Sequence, residues 1–290
     1  MSKSEAKRTA AQQAQGNVPA PAAAPQLPTT GIDYGADAGV GLEGADRDSF
    51  AIPFLAILQP MSPVVVDQTV PDAKPGMFLN TVTNDLLREP LLIPCAFQRR
   101  WLRWASRDSG GGFKGELTTA AVNELRAAQR VVELNGRLYF PEQDGSVNPE
   151  KSDRLSDTRS HFCLVLAAAD APLGVPAVFA LTSTGIKVSK NWLSRMDAAK
   201  LTLADGRVVT APTFSQLYRV TTEKKSNDKG TWWQPVITPA GQVTSAALYA
   251  QAKAFHSQVS AGKVDVAHES MAGAAAADSA GGATDDDARM

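Results

Sequence analysis

The run Cys95-Ala96-Phe97-Gln98-Arg99-Arg100-Trp101-Leu102-Arg103-Trp104-Ala105-Ser106-Arg107 interleaves aromatic and cationic side chains. Successive side chains of a β-strand point to opposite faces of the sheet. One face of a strand here carries Phe97, Arg99, Trp101, Arg103 and Arg107, and the other carries Gln98, Arg100, Leu102 and Trp104. Flat rings beside guanidinium groups suit single-stranded nucleic acid, because bases stack on rings and phosphates pair with arginine. The alternative is a sheet strand whose tryptophans belong to the core and whose arginines face water.

The distribution of charge points to an anionic partner. The chain has 290 residues with a formal net charge of -1, a hydrophobic fraction of 43% and a charged fraction of 20%. These values are typical of a protein with an ordinary core, in one large domain or two small ones. Between Phe50 and Asp265 there are 24 Lys and Arg against 19 Asp and Glu, which is a net charge of +5. Since the whole chain has a net charge of -1, the residues outside this range carry -6. A basic body with acidic ends favours an anionic ligand.

Cysteine usage and hydropathy indicate the compartment. Cys95 and Cys163 are the two cysteines and are far apart, so no framework of disulfides is expected. Lys3, Lys7 and Arg8 near the start are not followed by the apolar run of a signal peptide. No apolar run is long enough to span a bilayer. We therefore predict a cytoplasmic protein with no membrane partner.

Composition divides the chain into three parts. Residues 1–48 are rich in Ala, Gln and Pro and are predicted to form a disordered arm, because they cannot bury enough apolar surface to offset ordering entropy. Residues 49–261 are predicted to form a single β-rich nucleic-acid-binding domain. Residues 262–290 revert to Ala, Gly, Ser and Asp, and are predicted to form a disordered tail with an acidic tip at Asp285-Asp286-Asp287.

Short strands and turn signals dominate the middle part. Asn135-Gly136 and Asp205-Gly206 predict two tight hairpins. The polar stretch from Pro141 to Ser160 is interpreted as a loop. A helix capped by Thr244 or Ser245 is predicted to bury Leu248, Ala252, Phe255 and Val259. Many strands with few helices predict a mainly β (α+β) fold, an antiparallel OB-like β-barrel elaborated with a few short helices and flanked by disordered termini.

Catalytic patterns are weak in this sequence. The glycine-rich run from Asp108 to Gly115 lacks the Gly-Lys-Ser/Thr ending of a phosphate-binding loop, and is interpreted as a loop only. Cys95, His161 and Cys163 lack metal-ligand spacing, so core thiols are the better interpretation. We find no Ser-His-Asp arrangement and no acidic two-metal cluster. The prediction is a non-enzymatic protein with no metal and no cofactor; an accessory enzyme with an unrecognised site is the remaining catalytic alternative.

Two further basic-aromatic clusters support binding. One combines Tyr218, Arg219, Lys224, Lys225, Lys229, Trp232 and Trp233, and a weaker one combines Lys187, Lys190, Trp192 and Arg195. Because neighbours on a strand face opposite ways, at most one of Trp232 and Trp233 can stack a base. The predicted nucleic-acid contacts are Arg99, Arg100, Trp101, Arg103, Arg107, Phe113, Lys114, Arg219, Lys224, Lys225 and Trp232. Leu102 and Trp104 are expected to anchor the strand in the core.

With these features the chain resembles phage-encoded single-stranded-DNA-binding proteins, which have an OB-type barrel and an acidic C-terminal tail. The resemblance spans roughly residues 50–260. It rests on Phe97 to Lys114, the pair Trp232-Trp233, the acidic run Asp285-Asp286-Asp287 and the opening stretch Ile52 to Pro63. The tails of that family usually end in an aromatic residue, whereas this chain ends Ala288-Arg289-Met290.

The resemblance implies a non-catalytic protein that coats single-stranded DNA during phage replication or recombination. It implies location in the host cytoplasm, and replication or recombination proteins as partners of Asp285, Asp286 and Asp287. Homo-oligomerisation stays open, as does preference for DNA over RNA. The alternative from another class is a structural or scaffold protein of a virion or assembly, whose arm and tail serve interactions.

Overall fold

The computed structural model of the protein describes residues 40–41, 43–44, 52–106, 108–168, 171–228, 230–264 and 266. The chain divides into two compact units, Met1–Gly44 and Ala45–Met290. In the first unit the described residues form a turn in which the Gly41 N–H donates to Glu43 Oε1 at 2.9 Å. The rest of the predicted arm, the acidic run Asp285-Asp286-Asp287 and Arg107 lie outside the described residues.

Strands make up most of the second unit. The first seven are β1 Leu55–Ile57, β2 Phe78–Asn80, β3 Leu86–Leu87, β4 Leu91–Trp104, β5 Phe113–Leu117, β6 Val132–Leu134 and β7 Arg137–Tyr139. The next six are β8 Arg154–Leu166, β9 Val175–Leu181, β10 Lys200–Thr202, β11 Val208–Thr210, β12 Gln216–Asn227 and β13 Gly230–Gln242. The main sheet has the order β13-β12-β4-β8-β7-β6, with β5 added to β4 and β9 added to β8. Two small sheets, β1-β2-β3 and β10-β11, accompany it.

Helices are short and few in the described part of the chain. They are α1 Pro63–Val66, α2 Thr119–Ala127, α3 Gly185–Ala198 and α4 Ala246–Ser260, with a 3-10 turn at Thr213–Ser215. Two begin with side-chain caps: Thr118 accepts from the Ala121 N–H, and Ser245 accepts from the Leu248 N–H. Among the described helices none is long and apolar enough to cross a membrane.

The long antiparallel pair of β4 and β8 forms the centre of the main sheet. It runs from Leu91 opposite Leu166 to Trp104 opposite Arg154, with a bulge between Pro94 and Ala96. Strands β12 and β9 flank one end of the pair, and β5 and β7 flank the other. The sheet curls into an antiparallel half-barrel, because bulges and the right-handed twist of strands bend long sheets. The predicted mainly β, barrel-like fold with a few short helices is confirmed.

One face of the main sheet, which we call the α4 face, carries the larger apolar core. Leu102 is 0% exposed there and packs with the buried side of α4. Trp104 is partly buried against the same cluster. All four residues of the predicted apolar stripe of α4 are buried: Leu248, Ala252, Phe255 and Val259. The expectation that Leu102 and Trp104 anchor β4 in the core is confirmed.

The opposite face, which we call the cationic face, is covered at both ends. Helix α3 covers one end, where the Trp192 ring stacks on His161 with centroids 4.5 Å apart. Helix α2 covers the other end, where Val122 packs with Trp101 and Leu155. Arg99, Asp157 and Arg159 lie between these two ends, whereas Arg103 and Asp153 lie beyond the contact of α2 with Trp101 and Leu155.

Two local predictions differ from the structure. The stretch Pro141 to Ser160 is not all loop, because β8 begins at Arg154; its polar side chains pair across to β4 instead of facing water. The hairpin at Asp205-Gly206 forms, but its loop is wider than two residues, since Thr202 pairs with Val208. The Asn135-Gly136 turn is tight as predicted, with φ of 52° and 71° between Leu134 and Arg137.

Candidate nucleic-acid interface

Asp153 is shared by two cations at the β5 end of the sheet. The Arg103 guanidinium donates to Asp153 Oδ2 from Nη2 at 2.6 Å and from Nε at 2.9 Å. Lys114 Nζ lies 3.0 Å from the same oxygen. Burial by itself would raise the pKa of Asp153, but the hydrogen bonds from Lys114 and Arg103 outweigh it and hold the pKa below the ordinary value. Asp153 is therefore an ionised anchor for both cations.

Asp157, four residues further along the chain and on the same face, also has two cations near it. Arg99 donates to its two carboxylate oxygens, from Nε to Oδ1 at 2.9 Å and from Nη2 to Oδ2 at 2.6 Å. Arg159 Nη2 lies 3.7 Å from Oδ2. The hydrogen bond to Asp157 raises the pKa of Arg99 further. We call the combined set the cationic strip: Arg99, Arg103, Lys114, Arg159, Asp153 and Asp157.

Three cations of the strip, all except the buried Arg159, lie above the acids. The side chains of Arg99, Arg103 and Lys114 are 36%, 38% and 43% exposed. Those of Asp153 and Asp157 are 10% and 14% exposed. Four cations on two carboxylates leave a positive surplus, and the outer layer that solvent meets is cationic. Bidentate pairing also fixes the guanidinium groups, so less side-chain entropy is lost when they bind an anion.

Trp101 lies beneath this layer. The sequence predicts an open ring at this position, but Trp101 is 8% exposed and packs with Val122 of α2. Two guanidinium groups lie near its ring, with the Cζ of Arg99 at 5.4 Å and that of Arg126 at 5.6 Å from the centroid. Phe97, 37% exposed on the same face of β4, presents an aromatic ring to solvent beside the strip.

Arg100 and Phe113 belong to other surroundings. Arg100 is on the α4 face of β4, where its Nε lies 3.5 Å from Glu116 Oε1. The Phe113 ring packs edge-on against Trp104 with centroids 5.8 Å apart. The thickness of the sheet thus separates Arg100 from Arg99 and Arg103. Phe113 rests against the apolar core of the α4 face.

The β12–β13 hairpin lies at the far end of the sheet. Tyr218 pairs with Leu92 in antiparallel register, so β12 runs away from the Arg99–Arg103 half of β4. The predicted contacts on the hairpin are therefore not gathered with the cationic strip. Two of its cations are in ion pairs, Arg219 with Glu89 and Lys225 with Glu223.

The two hairpin tryptophans point to opposite faces. Trp233 pairs with Lys224 and its ring lies against Gly76, where a Cβ would be 2.6 Å away. Trp232 pairs with Lys225 on the other face and is half-buried. The third cluster loses its aromatic member, because Trp192 is 1% exposed in the core.

Sequence analysis missed Asp153, Asp157 and Arg159, since they fall in the stretch interpreted as a loop. A signal was present: Asp157, Arg159 and His161 alternate as the arginines of β4 do. Charged residues at period two in both strands indicate a facing pair on one sheet surface.

Both cysteines are buried thiols, and the described acidic groups form no metal-binding cluster. Burial raises the pKa of the Cys95 thiol to about 12 and that of Cys163 well above its usual value. Within the described residues no group of three His, Cys, Asp or Glu side chains is placed to hold a metal ion.

Comparison with known proteins places the chain in a phage family. The family described as Pam3 phage gp34-like protein matches residues 22–265, which is most of the chain. The chain belongs to this family. No curated protein and no solved structure matches the chain. The family supports the phage origin that the resemblance implies, and its description states no function.

Proposed function

We propose that the protein binds single-stranded DNA through the cationic strip, as a non-catalytic component of phage DNA replication or recombination in the host cytoplasm. One observation carries the proposal: two largely buried carboxylates, Asp153 and Asp157, together hold four cations, and three of these, Arg99, Arg103 and Lys114, are 36–43% exposed. Such a surface attracts a polyanion through its positive charge.

Flexible single strands fit this surface better than a rigid duplex. The strip follows a curled sheet on both sides of the contact of α2 with Trp101 and Leu155, and the exposed ring of Phe97 lies beside its Arg99 end. Single-strand binding combines a cationic track for the backbone with aromatic side chains for the bases. In this proposal Arg99, Arg103 and Lys114 pair with phosphates, and Lys224, Lys225 and Trp232 offer a separate contact region on the hairpin.

The test is a titration of the full chain with oligo(dT), followed by its tryptophan fluorescence. Binding is expected to weaken with salt, with a slope of log K against log salt of about -0.7 for each phosphate neutralised on a single strand. The double variant Arg103→Gln/Lys114→Gln should bind about tenfold more weakly. A matched control is Lys200→Gln/Arg207→Gln, which removes two cations from the β10–β11 hairpin. Thermal unfolding verifies that each variant is folded.

Two results would contradict the proposal. One is the absence of any fluorescence or anisotropy change with oligo(dT) at low salt. The other is equal weakening in the strip variant and in the control, which would indicate a general charge effect. Indifference to single strands together with stable co-purification with phage particles would favour the scaffold alternative.

A further inference from the structure

Arg99 and Arg159 are direct cross-strand partners in the middle of the cationic face. Like charges directly opposite each other destabilise an antiparallel pair. A single carboxylate, Asp157, lies between them, with Arg99 Nη2 at 2.6 Å and Arg159 Nη2 at 3.7 Å from its Oδ2. The pair therefore retains one positive charge that Asp157 does not neutralise.

Arg159 is an unusual residue to bury. It is 9% exposed, and its Nε is buried without a hydrogen-bond partner. Burial lowers the pKa of Arg159. The negative charge of Asp157 raises this pKa, and repulsion from Arg99 lowers it further. A buried guanidinium with too few partners destabilises the folded state. A second anion bound at this position would therefore stabilise the folded protein.

Phe97 is the neighbouring side chain on the same face of β4, two residues from Arg99. Its ring lies 5.1 Å from that of His161, its cross-strand partner. His161 is held by Ser189 Oγ at 2.8 Å from its Nε2 and by the stacked Trp192 ring. Phe97 is thus the exposed end of a row of three rings whose other two members are buried. Such a support holds the exposed ring in place.

We propose that Arg99 and Arg159 form a seat for one phosphate of a single strand, and that Phe97 stacks the base next to that phosphate. The inference rests on the proposed function and specifies one position on the strand. A phosphodiester carries a single negative charge, which neutralises the surplus of the pair. Because the Nε of Arg159 is closed off from solvent, the phosphate meets the terminal nitrogens of the two guanidinium groups. His161 adds no charge, since its pKa is lowered to about 3 by burial and by Arg159.

The experiment compares three ligands: oligo(dT), a strand of equal length without bases, and inorganic phosphate. Phe97→Leu keeps an apolar contact with His161 but removes the flat face. We expect it to bind oligo(dT) about tenfold more weakly and the abasic strand unchanged. Phe97→Tyr should bind oligo(dT) like the unmodified chain.

Arg99→Gln should weaken binding of both strands and reduce the salt slope by about 0.7, as loss of one phosphate contact requires. Arg159→Lys should act in the same direction, because an ammonium group cannot reproduce the fork of a guanidinium. Arg99→Gln carries the test if Arg159→Lys does not fold, since Arg99 is partly exposed. Arg207→Gln, an exposed cation on the β10–β11 hairpin, is the matched control.

The outcomes separate this inference from the proposed function. If the unmodified chain does not bind oligo(dT), both fail. If it binds and only Arg103→Gln/Lys114→Gln weakens binding, the phosphate seat is wrong while the proposed function stands. Equal losses of Phe97→Leu on oligo(dT) and on the abasic strand would exclude base stacking. Competition by inorganic phosphate at the concentration of strand phosphates would assign the seat to free phosphate and overturn the inference.

Discussion

Gln59 and Trp233 exchange two hydrogen bonds across 174 residues of sequence. The Trp233 N–H donates to Gln59 Oε1 at 2.8 Å, and Gln59 Nε2 donates to the Trp233 carbonyl at 2.9 Å. The amide of Gln59 thus takes the place that a neighbouring strand would take at the outer edge of β13.

Other residues protect the same edge of β13. Backbone groups two residues apart point to the same side of a strand. Following Trp233 at this spacing, Pro235 and Pro239 have no N–H, and the Ile237 carbonyl accepts from Arg195 Nη1 at 2.7 Å. Prolines and capped carbonyls prevent edge-to-edge pairing. A homo-oligomer of this protein is therefore not expected to form by adding strands at β13.

Gln59→Ala should destabilise the protein and expose this edge. It leaves the Trp233 N–H and carbonyl without their partner, which predicts a loss of about 1–3 kcal/mol in the free energy of unfolding. Urea denaturation measures the loss, and light scattering measures self-association, which should rise. Asn123→Ala, an exposed amide on α2, is the control and should change stability by less than about 0.5 kcal/mol. Unchanged stability of Gln59→Ala would refute the role of the two hydrogen bonds.

Gly76→Ala should lower the free energy of unfolding for two separable reasons. Gly76 has a φ of +88°, and an added Cβ would lie 2.6 Å from the Trp233 ring. Gly110 has nearly the same φ, +86°, with nothing within 4 Å of its Cβ position. Gly110→Ala should therefore lose about 1–2 kcal/mol from backbone strain alone. Gly76→Ala should lose a further 1–3 kcal/mol, roughly, from overpacking against Trp233. Equal losses of unfolding free energy for the two variants in urea denaturation would show that the Trp233 ring moves aside without cost.

Local signals predicted the elements whose partners are near in sequence. Ser245 caps α4 and the spacing of Leu248, Ala252 and Phe255 defines its buried side, as the pattern indicates. The Asn135-Gly136 turn is fixed by two residues that tolerate positive φ. In each case the interaction that determines the element joins residues close together in the sequence, so the local pattern predicts it.

The polar half of β8 could not be recognised in that way. Its carboxylate Asp157 is paired with Arg99 of β4, which lies 58 residues away in the sequence. Alternation along β4 correctly grouped Arg99, Trp101 and Arg103 on one face. It could not show that α2 would cover Trp101, because burial depends on how distant elements pack.

Asp153→Asn should lower stability in a manner that depends on pH. The pKa of Asp153 is held below its ordinary value of 3.8, so its contribution is present above about pH 4 and is lost as pH falls through the lowered pKa. The variant should lose about 2 kcal/mol at pH 7, and the difference from the unmodified chain should shrink near pH 3. Asp205→Asn, from an exposed pair with Arg207, should change little. A constant difference across this pH range would contradict the assignment.

His161→Gln should flatten the pH dependence of stability at higher pH. Burial, followed by repulsion from Arg159, lowers the pKa of His161 from 6.5 to about 3. Below pH 6.5 the unfolded chain takes up a proton that the folded chain refuses, so the free energy of unfolding falls as pH falls. Linkage predicts a loss of roughly 2 kcal/mol between pH 7.5 and pH 5.

Urea denaturation at pH 7.5, 6 and 5 measures this slope, at pH values above those at which the contribution of Asp153 changes. His161→Gln is less stable at pH 7.5, because it loses the stacked contact with Trp192, but its stability should vary little down to pH 5. His256→Gln, which keeps His161, is the control for loss of a histidine from another part of the fold. If His161→Gln retains the slope of the unmodified chain, His161 is protonated in the folded state. In that case it would add a positive charge beside Phe97 and Arg159.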